Sequence, residues 1–437
     1  MSTNATTTVK PDNSVIKKVA LSSFLGNFIE WFDYATYSYF AVIIAKVFFP
    51  TEDPAVALMQ TFGVFAISFL LRPVGAIFWG SLGDKKGRKW ALSTSIFLMT
   101  GATFMIGLLP GYGTIGLLAP LLLLVFRMVQ GFSASGEYAG AATFLAEYAP
   151  SNKRGVYCSI VPASTAVGLL VGSMFATAMY GFLDPAAVEA WGWRIPFLLA
   201  GPLGLVAHYI RTRLEDSPTY TAMRKVVEKS DEAPHPIRDL LRNHLRALVI
   251  SFGAAMLNAV GFYTVLTYLP TYLFEVVKMD HAQATLITTI CLVAYVVFIF
   301  GMGHLSDKFG RKRMMITACV AFIAFTVPAF MLLNTGDFIV VLIVELCLCA
   351  ILTVNDGTLS SYLTETFPTE VRYSGFALSF NMANALFGGT APFIATALIS
   401  ATGSGLAPAW YMVGVSCVAL VAMILSHEHT GKELSEV

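Results

Sequence analysis

The sequence predicts an all-α membrane protein whose twelve transmembrane helices form two pseudo-symmetric six-helix bundles. Three observations predict it. Of 437 residues, 56% are hydrophobic and only 13% are charged, about half the charge of a typical soluble domain. The apolar residues fall into runs of about twenty, which at about 1.5 Å per residue cross a hydrocarbon core roughly 30 Å thick. Two polar blocks also recur in the same order, as duplication of a six-helix unit requires.

Apolar runs between charged or Gly- and Pro-rich breaks predict helices at 18–42, 55–80, 90–109, 114–148, 155–182, 193–212, 244–274, 283–304, 312–334, 338–366, 372–401 and 407–427. The polar, Thr-rich stretch 1–17 has no apolar core before a cleavage site, so it reads as a tail rather than a signal peptide. The first apolar run then serves as an uncleaved anchor. Lys and Arg crowd alternate loops: Lys85, Lys86, Arg88 and Lys89 after the second helix, Lys153 and Arg154 after the fourth, and eight basic residues from Arg211 to Arg246 around the sixth and seventh. Lys308, Arg311, Lys312 and Arg313 follow the eighth helix, and Arg372 the tenth. The opposite loops hold little beyond Lys46 and Lys278. That bias places both termini in the cytoplasm. The expected organisation is a tail 1–17, a bundle 18–212, a cytoplasmic linker 213–243, a second bundle 244–427 and a tail 428–437.

The recurring blocks are specific. Asp84-Lys85-Lys86-Gly87-Arg88-Lys89 returns as Asp307-Lys308-Phe309-Gly310-Arg311-Lys312, and Glu147-x-x-Pro150-x-x-x-Arg154 returns as Glu365-x-x-Pro368-x-x-x-Arg372. The separations, 223 and 218 residues, are nearly one offset. Net charge is +1, which gives no reason to expect a nucleic-acid partner. The six cysteines sit in or beside apolar runs without metal-ligand spacing, so buried, unpaired thiols are expected and no metal or cofactor.

The Asp-x-x-Gly-Arg-Lys loop and its repeat resemble the signature of the major facilitator superfamily. Further blocks narrow the resemblance: Gly26-Asn27-Phe28-Ile29-Glu30-Trp31-Phe32-Asp33, Arg127-Met128-Val129-Gln130-Gly131, Gly136-Glu137-Tyr138, Trp191-Gly192-Trp193-Arg194 and Leu214-Glu215-Asp216-Ser217-Pro218. Together they are similar to the metabolite:H⁺ symporter family, which holds proline/betaine, α-ketoglutarate, shikimate and citrate transporters. The resemblance implies a multi-pass protein of the cell inner membrane, working as a monomer with a small solute, protons and the lipid bilayer as its partners. Thr267 to Leu273 looks nearest the proline/betaine members, whereas Phe387 to Pro392 is more similar to the carboxylate members. No heptads follow the last helix, so osmotic gating through a C-terminal coiled coil is not expected.

A charge inside a span costs about 2.5–3.5 kcal/mol and needs a partner, a cavity or a task. Helix 1 carries Glu30 and Asp33, and helix 4 carries Arg127, Gln130 and Glu137 along one stripe. The expectation is that these helices face each other across the pathway, with Arg127 neutralising one carboxylate and another left free for a proton. A fixed structural ion pair is the rival reading. Asp356, beside Asn355 and Gly357, is a cation or proton site or else a capping carboxylate at a helix break. Glu345 lies nearer the outer end and is expected to be solvated. Trp31, Tyr34, Tyr37, Tyr263 and Tyr268 form a candidate cage for a quaternary ammonium, or else an interfacial belt. In the repeated loops, Asp84 and Asp307 are placed to cap a helix or hold the loop arginine. Gly87 and Gly310 permit the turn, and Arg88 and Arg311 are within reach of Glu147 and Glu365. These contacts are expected to act as conformational clasps.

The expected function is proton-coupled symport of a small zwitterion of the proline or betaine type. A mono-, di- or tricarboxylate symporter is the alternative and an exporter of the same fold the second. No nucleophile–base set or metal-ligand set occurs in the spans, so enzymatic chemistry is not expected.

Overall fold

The computed structural model describes residues 13–50, 54–227 and 235–434. Its long helices are α1 (Asn13–Tyr39), α2 (Pro54–Leu70, continuing as Arg72–Lys86), α3 (Arg88–Leu108), α4 (Leu118–Tyr148), α5 (Ser151–Phe182), α6 (Ile195–Thr212), α7 (Leu245–Glu275), α8 (His281–Phe309), α9 (Arg311–Leu333), α10 (Phe338–Thr366), α11 (Arg372–Thr402) and α12 (Ala407–Leu425). No strand occurs among the described residues. Among the described residues, ten helices are long and apolar enough to cross a bilayer. The other two, α1 and α6, are diluted by polar groups: Asn27, Glu30 and Asp33 in α1, His208 and Arg211 in α6.

Twelve helices appear where twelve apolar runs occur, with ends that differ by a few residues. The largest shifts of a C-terminal end are in α2 and α8, which continue to Lys86 and Phe309 instead of stopping at 80 and 304. The Asp of each repeated loop therefore lies in the last helical turn rather than in a loop. Each helix then breaks at a glycine with positive φ, 112° at Gly87 and 96° at Gly310, a conformation that side-chain-bearing residues rarely adopt. The connection after α6 holds two short helices, Pro218–Val227 and Pro236–Asn243. Residues 228–234 of that connection and residues 1–12 of the expected tail lie outside the described residues. Two thiols depart from the expectation of burial: Cys347 and Cys417 are exposed, while the other four are buried.

The packing repeats between the halves. α1 lies on α5 and α3 on α6, and correspondingly α7 lies on α11 and α9 on α12. The halves meet where α2 packs on α11 and α5 on α8. Gly168 and Gly172 of α5 lie against the α1 backbone and Ala35, a close approach of the kind small residues allow. In α7 and α11 the helix widens to π turns at Tyr263–Tyr268 and Asn384–Gly388. Each turn precedes a proline, Pro270 or Pro392, which cannot donate to the carbonyl four residues back and crowds that turn. Such bulges recur at functional sites, and here both flank the space between the halves.

Candidate functional site

A narrow cavity lies between the halves, lined by Trp31 of α1, Tyr138 of α4, Thr165 of α5, Asn258 and Phe262 of α7, Tyr295 of α8, Asp356 of α10, and Phe380 and Asn384 of α11. Asp356 is the charged group in this lining. Asn258 Nδ2 donates to its Oδ1 at 2.6 Å and Tyr295 Oη to its Oδ2 at 2.6 Å. Both donors are neutral, so they orient the carboxylate without cancelling its charge. Aromatic rings bound the space. Tyr138 stacks on Phe380 with centroids 4.3 Å apart, while Trp31 meets Phe262 edge-on at 5.2 Å and Tyr263 at 6.1 Å. Phe69 of α2 stands 6.3 Å from Tyr263 across the halves.

The N-terminal bundle distributes its charges differently. Arg72 donates to Glu30 at 2.6 Å and to the Tyr34 hydroxyl at 2.5 Å, with its guanidinium 4.4 Å above the Phe69 ring. Arg127 donates to Asp33 at 2.7 Å and lies 3.7 Å above the Tyr37 ring. Gln130 donates to Asp33 at 3.2 Å and to Thr103. Glu137 binds Arg211 of α6 through both carboxylate oxygens. Arg211 also donates to the carbonyls of Leu92 and Ser22. All six charged residues of these pairs are buried. The expected Arg127 pairing is present, but the carboxylate expected to be free has its own arginine. Arg72, whose partner the sequence did not reveal, answers Glu30, and Arg211 answers Glu137.

Of the candidate aromatics, Trp31 lines the cavity and Tyr263 packs on it, while Tyr34 binds Arg72. Tyr37 is occupied beneath Arg127, and its hydroxyl donates to the Thr61 carbonyl at 3.0 Å. Tyr268 lies farther along α7, against Tyr272. Asn258, Tyr295 and Phe262 were missed. A lone Asn in the apolar run of α7 was the available signal; Tyr295 and Phe262 carried none beyond residue type.

At the end of the bundle that carries the basic loops, the halves are joined twice. Arg88 donates to Glu147 at 3.2 Å, and Arg311 to Glu365 at 3.1 Å. Each glutamate is also reached from the other half, Glu147 by Arg372 at 3.1 Å and Glu365 by Arg154 at 2.8 Å. Asp84 accepts from the backbone N–H of Tyr373 and Ser374 at the start of α11, at 3.2 and 2.9 Å. Asp307 does the same for Gly155 and Val156 near the start of α5, at 2.8 and 3.1 Å. A carboxylate there satisfies donors that the helix leaves unpaired and meets the positive end of its dipole. Gly136 and Gly140 of α4 make room for Tyr373, whose hydroxyl donates to the Gly136 carbonyl at 2.5 Å.

The segment after α12 crosses this junction. Glu428 accepts from the N–H of Arg311 and Lys312 at 3.1 and 2.9 Å, capping α9. The Lys432 carbonyl accepts from Arg154 at 3.3 Å, and the Leu434 carbonyl from Arg372 at 2.8 Å. The Leu434 side chain packs with Ala146 and Cys158 of the first half. Burial, with Lys432 beside it, holds the His429 imidazole below its ordinary value.

Two bundles of six spans around a largely aromatic cavity with one carboxylate, bolted at one end by ion pairs between them, define a membrane transporter rather than an enzyme. Residues 19–239 match the Sugar (and other) transporter family and residues 252–436 the Major Facilitator Superfamily. A putative proline/betaine transporter of Staphylococcus haemolyticus is 37% identical, over 97% of this chain and 90% of its own length. The glycine betaine/proline/ectoine/pipecolic acid transporter OusA of Dickeya dadantii is 35% identical over 97% and 85%. The proline/betaine transporter of Salmonella typhimurium is 35% identical over 97% and 86%. Among solved structures, the proton:xylose symporter XylE bound to 6-bromo-6-deoxy-D-glucose superposes with a TM-score of 0.79 at 18% identity, covering 98% of this chain and 99% of that one. The partially occluded inward-open conformation of XylE from E. coli gives 0.67 at 19% identity, covering 96% and 100%. This chain belongs to the major facilitator superfamily.

Proposed function

We propose that this chain is a proton-coupled symporter that imports a small zwitterion of the proline or glycine betaine type by alternating access. The observation that carries the reading is the cavity lining. Aromatic faces surround one carboxylate, Asp356, and no Lys or Arg is among the lining residues. A substituted ammonium gains from both the carboxylate and the rings, and Thr165 and Asn384 offer neutral donors to the carboxylate end. A dicarboxylate or tricarboxylate meets no free cation in that lining. The names of the relatives agree with this substrate class. Asp356 is then the group at which solute and proton compete, since a carboxylate held by neutral donors is free to change its charge. The three N-terminal pairs serve to hold α1, α2, α4 and α6 in register.

With the basic loops in the cytoplasm of the inner membrane, as the positive-inside bias indicates, the clasps close the inner end. Opening it breaks the Arg154–Glu365 and Arg372–Glu147 pairs and frees α5 and α11 from Asp307 and Asp84. The test is uptake into proteoliposomes of radiolabelled proline, glycine betaine, α-ketoglutarate, citrate and shikimate, with and without an imposed pH gradient. Accumulation of proline or glycine betaine with acidification of the lumen is expected. Accumulation of the acids alone sinks the substrate assignment, and proton movement opposite to solute movement sinks symport.

A further inference from the structure

Glu345 lies on α10 eleven residues before Asp356, about three helical turns away and therefore on the same face. Its position near the helix end suggested a solvated side chain. Instead it is 0% exposed, and no cation pairs with its carboxylate. Its polar neighbours are neutral: Thr288 and Cys291 of α8 lie beside it, and Cys349 lies one turn along its own helix. No Lys, Arg or His faces it among the described residues. The contrast with Glu30, Asp33 and Glu137 is direct, since each of those has an arginine.

An ionised carboxylate so enclosed loses its hydration with no cation to offset the loss, so the group is carried as the neutral acid. The seam between α8 and α10 links it to the cavity. The Cys349 thiol donates to the Cys291 carbonyl at 3.3 Å. Tyr295 follows one turn on from Cys291, and its hydroxyl donates to Asp356 at 2.6 Å. We infer that Glu345 is a second proton-binding site of the transport cycle, set on the α8–α10 seam in line with Asp356. Transfer breaks the Glu345 O–H bond and forms one on Asp356. Tyr295 acts as the last carrier: it gives its own proton to Asp356 and takes one from a water in the seam, and that water takes the proton released by Glu345, so Tyr295 and the water end unchanged. The inference rests on the proton-coupled reading above.

The test compares wild type with Glu345→Gln in proteoliposomes, using radiolabelled proline and glycine betaine and a luminal pH dye. Gln replaces the neutral acid with a neutral side chain of the same shape. It is expected to keep solute exchange at equal pH, which needs no net proton movement. One proton moved down a one-unit pH gradient sustains about tenfold accumulation, and the variant is expected to lose that factor along with part of its proton uptake per solute. Wild-type accumulation and proton uptake in Glu345→Gln overturn the inference. Should Glu345→Gln also lack exchange, Glu345→Asp decides: proton-driven accumulation in that variant supports the site, and its absence overturns it. A wild type that exchanges solute without moving protons refutes coupling itself, a separate outcome visible before any variant is made.

Discussion

Arg154 of α5 and Glu365 of α10 form a 2.8 Å ion pair across the two halves, and the same glutamate also binds Arg311 of its own half. One carboxylate therefore holds both the loop after α8 and the opposite bundle. Glu365→Gln weakens both contacts. Hydrogen bonds to charged groups contribute about 1.5–3 kcal/mol each, so losing one interhalf contact should move the population toward the state open at the basic end by about 10- to 150-fold. Distance measurements between spin labels on the two halves at that end check it. An unchanged distribution rules out a clasp at this pair.

The segment after α12 adds a pH dependence. His429 titrates below its ordinary value in the docked segment because of burial and Lys432. A depressed value favours the neutral ring in the docked state. The ring's contribution to docking is therefore fully present above the ordinary value near 6.5 and is lost as pH falls through the depressed one. Hydrogen exchange of residues 427–434 should accelerate on acidification, and His429→Gln should remove that dependence.

Glu137 and Arg211 are predicted to matter for stability before transport. Glu137→Ala leaves a buried guanidinium without its partner, which costs about 3–5 kcal/mol, and the thermal midpoint in detergent should fall. Gly26→Ala should act on the same pair, since a methyl group there overlaps the Glu137 carboxylate and Arg211.

Asp356 and Tyr295 form the complementary case. Asp356→Asn removes the cavity's charge and should abolish proton-driven accumulation while the fold persists. Tyr295→Phe removes one charge-assisted hydrogen bond of about 1.5–3 kcal/mol, which predicts a roughly 10- to 150-fold loss in kcat/KM for uptake.

Trp31 tests the aromatic reading. Cation–π attraction amounts to about 0.5–2 kcal/mol, so Trp31→Ala should weaken glycine betaine uptake by roughly 2- to 30-fold, with Trp31→Phe in between. An equal loss for a neutral solute would assign Trp31 to packing alone.

The twelve spans were legible because a bilayer imposes one length on every crossing helix, and the repeat was legible because Asp84 and Asp307 stand at matching positions. Arg88–Glu147 and Arg311–Glu365 were readable within each half from that repeat. The arginines in the same motifs, Arg154 and Arg372, were visible, but their reach into the opposite half was not. Periodicity says which residues share a helical face, not which helix that face meets. Arg72 and Arg211 illustrate the limit: each sits in or at the end of an apolar run, and nothing in either run names Glu30 or Glu137.

The amino-acid order by itself determined the helices, their number and the duplicated junction motifs, because these follow from hydrophobic length and local spacing. Only the tertiary structure decided which carboxylates are neutralised. Glu30, Asp33 and Glu137 each meet an arginine from another helix, whereas Asp356 and Glu345 meet only neutral neighbours. Charge pairing inside a membrane depends on distances of a few ångströms between helices far apart in the chain, and those distances exist only once the bundles have packed.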